Sequence, residues 1–587
     1  MITLNAHQQA MLDGREGVAR QMAMRLLLDM AAAAGATELI PIQSAHLSGV
    51  SPLTGGLGLR QFLARLTGDP QAQVAVPTTL NAAGCDEKQF AAMRIVAPDF
   101  LAHHQEIVAL YTRLGVQPTM SCTPYEWEGV VTSGPAAWAE SNAICYGNSY
   151  CGLLTNRESG LSALACALTG YTPKYGLFDE AVRRPNLLVK VTADLDDPTD
   201  FSILGDWIGK QRRAEWRLPY GPIPYIDGLA ADLTHEQRKA LSAAAANYGS
   251  PLLYIAGQVE QPDLSAVLGE LTFTAETLAQ RYAELAPAAA ISLIAIGCPQ
   301  ASIGELRAVA ELVKGRRFTA EPDAGSDRIP LWIFTSAANK AIAERTGLAA
   351  LIRQSGALLL ENTCPEVVPY DPAWVKHILT NSMKAEHYLK SGLNSIPTSV
   401  MRLADCLAIA AGEKRVAVPP PLSSAASARS GKVSKRQTGA AAPPAPTLTL
   451  FAGGRGLPSQ TDFTVTAEAL VTDAPITFLG FVNRVTGVIE EPGHPADGQR
   501  LAGKIVIFPK GSGSTVAPYV VLELFYREQA PLAIVNTDID QQTAPACSLE
   551  GIPYAYGFDP AILQQIPNGA LVELKRQGKQ VTLQIKG

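Results

Sequence analysis

The stretch FPKGSGSTVAPYVVLELF, residues 508–525, decides how this chain is read. Its centre, Gly511-Ser512-Gly513-Ser514-Thr515, has the small polar composition of a flexible linker, but its flanks do not. The apolar run KIVIF leads in and VVLELF leads out, which is the pattern of a buried strand, a glycine-rich turn and a helix. Pro518 is compatible with that helix, because a proline in a first turn gives up no intrahelical hydrogen bond. A strand–turn–helix unit points backbone N–H groups and a helix N-terminus at an anion. The turn lacks the Gly-Lys-Ser/Thr of a Walker phosphate loop and the context of a Gly-x-Ser-x-Gly nucleophile elbow. Two readings remain for Ser514: a functional serine in positive local potential, or the side-chain cap of the following helix.

Around this unit the sequence is rich in strands. TDFTVTAEALVT, LAIVNT and LVELKRQGKQVTLQI alternate or run apolar as strands do. Upstream, VAVPPPLSSAASARSGKVSKRQTGAAAPPAPT is proline-, alanine- and serine-rich, with almost no large apolar side chains to offset its ordering entropy. We read residues 416–447 as a linker between a large part, 1–415, and a small one, 448–587. The large part alternates strand-like runs (LLVKVTADL, ISLIAIGCP, IPLWIFTS) with helical patterns (EQRKALSAAAANYG, AETLAQRYAELAPAAA). That order is α/β, with parallel sheets. At 587 residues the chain exceeds what one core supports, about 250–300 residues, so subdomains are expected.

The balance of residues excludes some partners. Charged residues make up 17% and the formal net charge is −6, so nothing favours nucleic acid or an anionic membrane, both of which need a basic face. The longest apolar run near the start, MAMRLLLDMAAAAGA, carries Arg25 and Asp29 and reads as an amphipathic helix closed by Gly35, too short to span a bilayer. The opening residues lack the charged-then-apolar pattern of a secretory leader. A cytoplasmic, reduced chain is expected, monomeric or a small homo-oligomer, its nine cysteines free thiols or metal ligands.

Three of those cysteines stand before proline-bent loops: Cys122 in MSCTPYEWEG, Cys298 in AIGCPQASIGEL and Cys364 in ENTCPEVVPY. Loops at strand ends of α/β sheets gather binding residues. Three thiolates with no fourth suit a metal centre that keeps an open coordination position. The competing reading is that cysteine is a small buried hydrophobe, which fits Cys166 and Cys406 on apolar helix patterns. Cys145 and Cys151 lie close enough in sequence to Cys122 to rival these ligands. They sit inside AESNAICYGNSYCGLLTNRESG, where Glu140, Ser141, Asn142, Asn148, Ser149 and Arg157 crowd together; this reads as a carboxylate-binding loop, with Arg157 as a fork, or as a surface loop. TNSMKAEHYL spaces Ser382 and Lys384 too closely for a Ser-x-x-Lys acylating pair. His46, His103 and His104 read more simply as structural histidines.

Taken together, the cysteine loops, ESNA…GNS, TNS-x-K and the GSGST turn resemble aconitase X, a divergent branch of the aconitase superfamily. MLDGREG, SAHLSG and PTTLNAAGCD are similar to the start of its large subunit, and FLGFVNRVTGVIEEPGHPADGQRLAGKIVIFP to its small subunit. The chain looks like the fused bacterial type. The resemblance implies a large multi-subdomain α/β part carrying the metal centre and a smaller swivelling β/α domain that brings a serine over it. It implies that Cys122, Cys298 and Cys364 hold iron, with a two-iron, two-sulfide cluster the first expectation and mononuclear iron or a four-iron cluster the others. It makes Ser514 the catalytic base and His46, Thr79, Glu140, Ser141, Asn142, Asn148, Ser149, Asn381, Ser382 and Lys384 the pocket.

The implied activity is dehydration of a small hydroxy amino acid, cis-3-hydroxy-L-proline, to Δ1-pyrroline-2-carboxylate. One departure bears on substrate. Many small subunits have Gly-Arg-Gly-Ser-Thr where this chain has Gly511-Ser512-Gly513-Ser514-Thr515. Without that arginine a phosphate or second carboxylate loses a strong binder, which argues against mevalonate 5-phosphate. Dehydration of another hydroxy acid, a serine hydrolase with structural cysteines, and a non-catalytic iron sensor are the other readings.

Overall fold

Three parallel sheets and one barrel organise the chain, which has an α/β fold. The structure is a computed structural model and describes residues 2–211, 216, 218–258, 262–323, 326–390, 393–414, 450–512 and 514–586. The expected linker lies outside the described residues.

The first sheet orders Thr78–Leu80, Ser44–Leu47, Gly134–Trp138 and Leu153–Leu154, all parallel. The second orders Gly269–Phe273, Leu187–Val191, Pro224–Asp227 and Tyr254–Ile255. The third has five strands, Leu358–Glu361, Leu331–Thr335, Leu293–Ala301, Ile378–Thr380 and Thr398–Val400. Helices such as Pro198–Lys210 and His235–Ala246 pack beside the second sheet through Phe201, Leu204, Leu241 and Ala245. The third sheet explains the near-continuous apolar runs ISLIAIGCP and IPLWIFTS, since Leu293–Ala301 and Leu331–Thr335 are buried along their whole length and need no alternation; Leu187–Val191 in the second sheet, expected to be such a strand, instead alternates, with Lys190 exposed. The helix Val18–Ala34 ends at Gly35, which adopts the left-handed conformation (φ 71°) as a C-cap.

Residues 450–585 form a closed barrel in the order Leu450–Gly456, Tyr554–Tyr556, Ala533–Asn536, Lys504–Phe508, Thr464–Val471, Leu571–Gln577, Gln580–Ile585. Its central strands are parallel and its last two form a hairpin. The opening motif resolves as the strand Lys504–Phe508, a turn and the helix Pro518–Tyr526.

That helix is the barrel's seat on the large part. Tyr519 is fully buried and donates from its hydroxyl to the Ser48 carbonyl at 3.0 Å. Gly49 permits this approach. Its φ is +97°, and a Cβ there would lie 2.2 Å from the Tyr519 ring. Arg484 donates to the carbonyls of Leu53 and Thr54 at 3.2 and 2.7 Å, and Asp29 accepts from Ser459 and Ser548.

Candidate active site

One cavity draws half of the sequence candidates together, among them all three cysteines and the serine. Its walls include Cys122, Cys298, Cys364, Glu140, Ser141, Lys384 and Ser514. Its volume is about 60 Å³, room for several waters or a small acid. The large part supplies the thiols and charges, and the barrel supplies Leu479, Ser514, Thr515 and Val516.

Each thiol sits just beyond a left-handed turn of the backbone. Met120 (φ 47°) precedes Cys122, Gly297 (φ 103°) precedes Cys298, and Asn362 (φ 66°) precedes Cys364. At Gly297 any Cβ would sit 2.1 Å from the Phe334 carbonyl oxygen, so only glycine fits. Cys298 lies at an irregularity of the strand Leu293–Ala301, where the register to its neighbour shifts. Cys122 and Cys364 pack together against Ala82. All three thiols are buried. Burial pushes Cys122 up to about 12, against the pull of Lys384. Burial and then the Glu366 carboxylate push Cys298 and Cys364 well above the usual thiol range.

Lys384 is the one cationic side chain among the described residues lining this cavity. It pairs with Glu140. Burial opposes its charge, but Glu140 and Glu366 outweigh burial and hold the ammonium well above its ordinary pKa. Glu140 responds in kind: burial would raise its pKa, yet Lys384 and further hydrogen bonds hold it down at about 2. Those bonds come from Asn81 Nδ2 at 2.7 Å and Asn142 Nδ2 at 2.9 Å. Glu140 thus stays a carboxylate beside the thiols.

Ser514 is half-buried, on the turn between strand and helix. The helix is capped at Ala517, with no side-chain bond, so Ser514 is free of the capping role that was the simpler reading. Its Oγ accepts a long bond, 3.4 Å, from the Val516 N–H. The next residue holds it in place. Thr515 Oγ1 donates to the Ala139 carbonyl at 2.8 Å, and the Thr515 carbonyl accepts from Gly160 N–H at 3.0 Å. Ala139 adjoins Glu140, so this tie brings the barrel's serine to the charged wall.

Other sequence candidates lie elsewhere. His46 and Thr79 are buried on neighbouring strands, bonded to one another at 2.8 Å, and neither is among the residues lining the cavity. Burial lowers His46 to about 4, so it is neutral. Asn142 is spent on Glu140 and on the Cys122 carbonyl (2.9 Å). Asn148 donates to the carbonyls of Thr155 and Pro251, and Ser149 to that of Cys145. The segment read as a binding or surface loop is in fact the helix Ser141–Tyr146 and a π-helical turn, Gly147–Cys151. Buried there, its polar groups satisfy backbone, and Cys145 and Cys151 do not line the cavity. Asn381 and Ser382 border a second, smaller cavity on the far side of Cys298. Ser382 Oγ accepts from the N–H groups of Lys384 and Ala385.

Sequence reading missed Asn81, Tyr388 and Glu366 on the cavity wall. Cys298 Sγ donates to Glu366 Oε1 at 2.8 Å. The available signal was a carboxylate two residues past a candidate ligand, Cys364.

Among the described residues, no three His, Cys, Asp or Glu side chains close on a single-ion position. Three soft thiols around a shared cavity, with no imidazole among the described residues of its walls, are instead the donor chemistry of iron–sulfur centres. The residues therefore fit such a group.

Comparison with known proteins agrees with this geometry. Family models match in order along the chain: Aconitase X first domain over residues 1–181, Aconitase X third domain over 291–412, and Aconitase X swivel domain over 459–583. The chain belongs to the aconitase X family. The large subunit of phosphomevalonate dehydratase from Thermococcus kodakarensis is 33% identical over 66% of this chain and 95% of its own. Cis-3-hydroxy-L-proline dehydratase from Pseudomonas aeruginosa is 34% identical over 71% of each chain. The crystal structure of Thermococcus kodakaraensis aconitase X (holo-form) superposes with a TM-score of 0.60 at 31% identity, over 70% of this chain and 99% of that one. Family relatives thus occur both as separate subunits and as longer chains. No helix among the described residues is long and apolar enough to cross a membrane.

Proposed function

We propose that this aconitase X protein dehydrates cis-3-hydroxy-L-proline, with Ser514 as the base. Dehydratase activity itself follows from the family and its relatives, which are named as dehydratases of hydroxy acids; the chain is a lyase. The observation that carries the finer reading is the shared cavity, whose walls take thiols and charges from the large part and Ser514 from the barrel.

Charge favours the amino acid over the phosphate ester. The cavity's single lysine is already matched by Glu140, and Glu366 adds a second carboxylate. A phosphate dianion with a carboxylate would bring about three negative charges to a site with no unpaired cation among the described residues of its walls. A zwitterion brings none net. At the position of the missing arginine, Ser512 instead bonds Thr477 Oγ1 at 2.6 Å.

An iron centre on Cys122, Cys298 and Cys364, when bound, supplies a Lewis acid for the leaving hydroxyl and a carboxylate oxygen. The chain's own residues do the rest. Ser514 acts as its alkoxide, its own proton having passed to solvent: Oγ takes the α-proton as the Cα–H bond breaks, that electron pair forms the ring C=C bond, and the C–O pair leaves with the hydroxyl. The backbone N–H of Val516 and the N-terminus of the following helix favour the alkoxide that exists before the proton is taken. Lys384 keeps Glu140 ionised and in place. In the cis isomer the α-hydrogen lies on the ring face opposite the hydroxyl. A base on the barrel wall and a Lewis acid on the thiol wall therefore suit anti elimination. The hydrolase reading loses support, since no histidine is among the described residues lining the cavity to activate a serine nucleophile.

The test is turnover of cis-3-hydroxy-L-proline, its trans isomer and mevalonate 5-phosphate by anaerobically purified protein. Activity on the cis amino acid alone is expected. Activity on the phosphate ester alone would overturn the substrate.

A further inference from the structure

We infer that Gln300 is the residue that positions the three thiols relative to one another. It lies two residues after Cys298 and is fully buried. Its side-chain carbonyl accepts from the Cys122 N–H at 3.2 Å. Its side-chain amide donates to the Met120 carbonyl at 3.1 Å and to the Thr363 carbonyl at 3.0 Å. One side chain on the Cys298 loop therefore grips the residues at and before the other two cysteines. Its backbone N–H also donates to Cys122 Sγ at 3.3 Å.

Two further observations point the same way. Met120 and Asn362 are left-handed, which is costly for non-glycine residues and persists only where surroundings enforce it. Met120 presents its own carbonyl to Gln300, and Asn362 directly precedes Thr363, which presents the other. Behind them, Lys239, itself buried and paired with Glu305, donates to the Gln300 carbonyl at 2.8 Å. Every polar atom of Gln300 is engaged, and none of its bonds reaches outside the thiol loops and this lysine. A residue bonded in this way acts through the ligands it orients.

The inference rests on reading Cys122, Cys298 and Cys364 as one donor set, and the experiment separates the two claims. Metal-free protein is titrated with Cd2+, and thiolate-to-cadmium absorption is read in the ultraviolet. Wild type should bind Cd2+ with thiolate-to-cadmium absorption, and each single cysteine variant should lose part of it. Absence of that absorption in wild type overturns the donor set and the inference with it. Gln300→Met keeps the length and removes the hydrogen bonds. It is expected to weaken Cd2+ binding by about 10–100-fold, to lower absorption per bound ion, and to shrink the gain in Tm on metal binding. A merely structural role would lower Tm equally with and without Cd2+ and leave absorption per ion unchanged; that result, or affinity within about twofold of wild type, overturns the inference. Gln300→Glu, which keeps the acceptor for Cys122 N–H but loses both donations, is read the same way should the methionine variant not fold.

Discussion

The two walls of the cavity are built by opposite strategies. The thiol wall is tied from behind. Gln300 binds two loops across its own, Asn142 holds the Cys122 carbonyl, and Asn81, Asn142 and Lys384 all converge on Glu140. The serine wall is tied beside its functional atom rather than at it. Thr515 and Tyr519 anchor the turn to Ala139 and Ser48, while Ser514 Oγ keeps only one long bond. The difference suits the chemistry proposed. Metal donors must hold a fixed geometry, whereas a base must exchange partners, so its capacity is left open for a proton.

The largest effect should come from breaking the thiol wall directly. Cys122→Ala, Cys298→Ala and Cys364→Ala are each expected to lose most bound iron, by about tenfold or more, and turnover with it; iron and sulfide analysis after anaerobic purification checks this. Lys384→Met comes next. It strands Glu140 as a buried charge, and removing one partner of such a pair costs about 3–5 kcal/mol, measurable by urea unfolding.

The same pair predicts a pH dependence. Glu140 titrates near about 2 in the folded protein, below its ordinary 4.5, so the folded state binds fewer protons between those values. Its contribution to stability is full above about 4.5 and is lost as pH falls toward about 2. The difference in Tm between wild type and Glu140→Gln should narrow over that window; a constant difference would contradict the pairing. The smallest effect is expected at the rim of the barrel's seat, where Arg65 bonds Glu550 through both nitrogens with its side chain 42% exposed. Arg65→Ala should cost about 1 kcal/mol or less and leave turnover unchanged.

Much of this contrast was legible in the residues. The serine turn declared itself because apolar runs flank it, and KIVIF and VVLELF could only be strand and helix around a tight bend. The cysteines stood out through the prolines that bend their loops. Three parallel sheets could not be separated in the sequence, because Leu187–Val191 and Leu331–Thr335 both read as short apolar runs although only the second is buried along its whole length. Asn142, Asn148 and Ser149 were visible as a polar cluster, but whether such groups face a ligand or their own backbone depends on a π-helical turn that leaves no composition signal. Glu366 was hidden for a related reason: its meaning comes from Cys298, sixty-eight residues away in sequence. Gln300 looks like any glutamine until the three loops it joins are seen together.

The central claim is that Ser514 removes the substrate's α-proton from the wall opposite the thiols. It is tested most directly by the turnover of cis-3-hydroxy-L-proline by Ser514→Ala protein whose iron content matches wild type. A fall in kcat of about 10²–10⁴-fold, the range for losing a general base, is the predicted result. Turnover equal to wild type at equal iron content would contradict it.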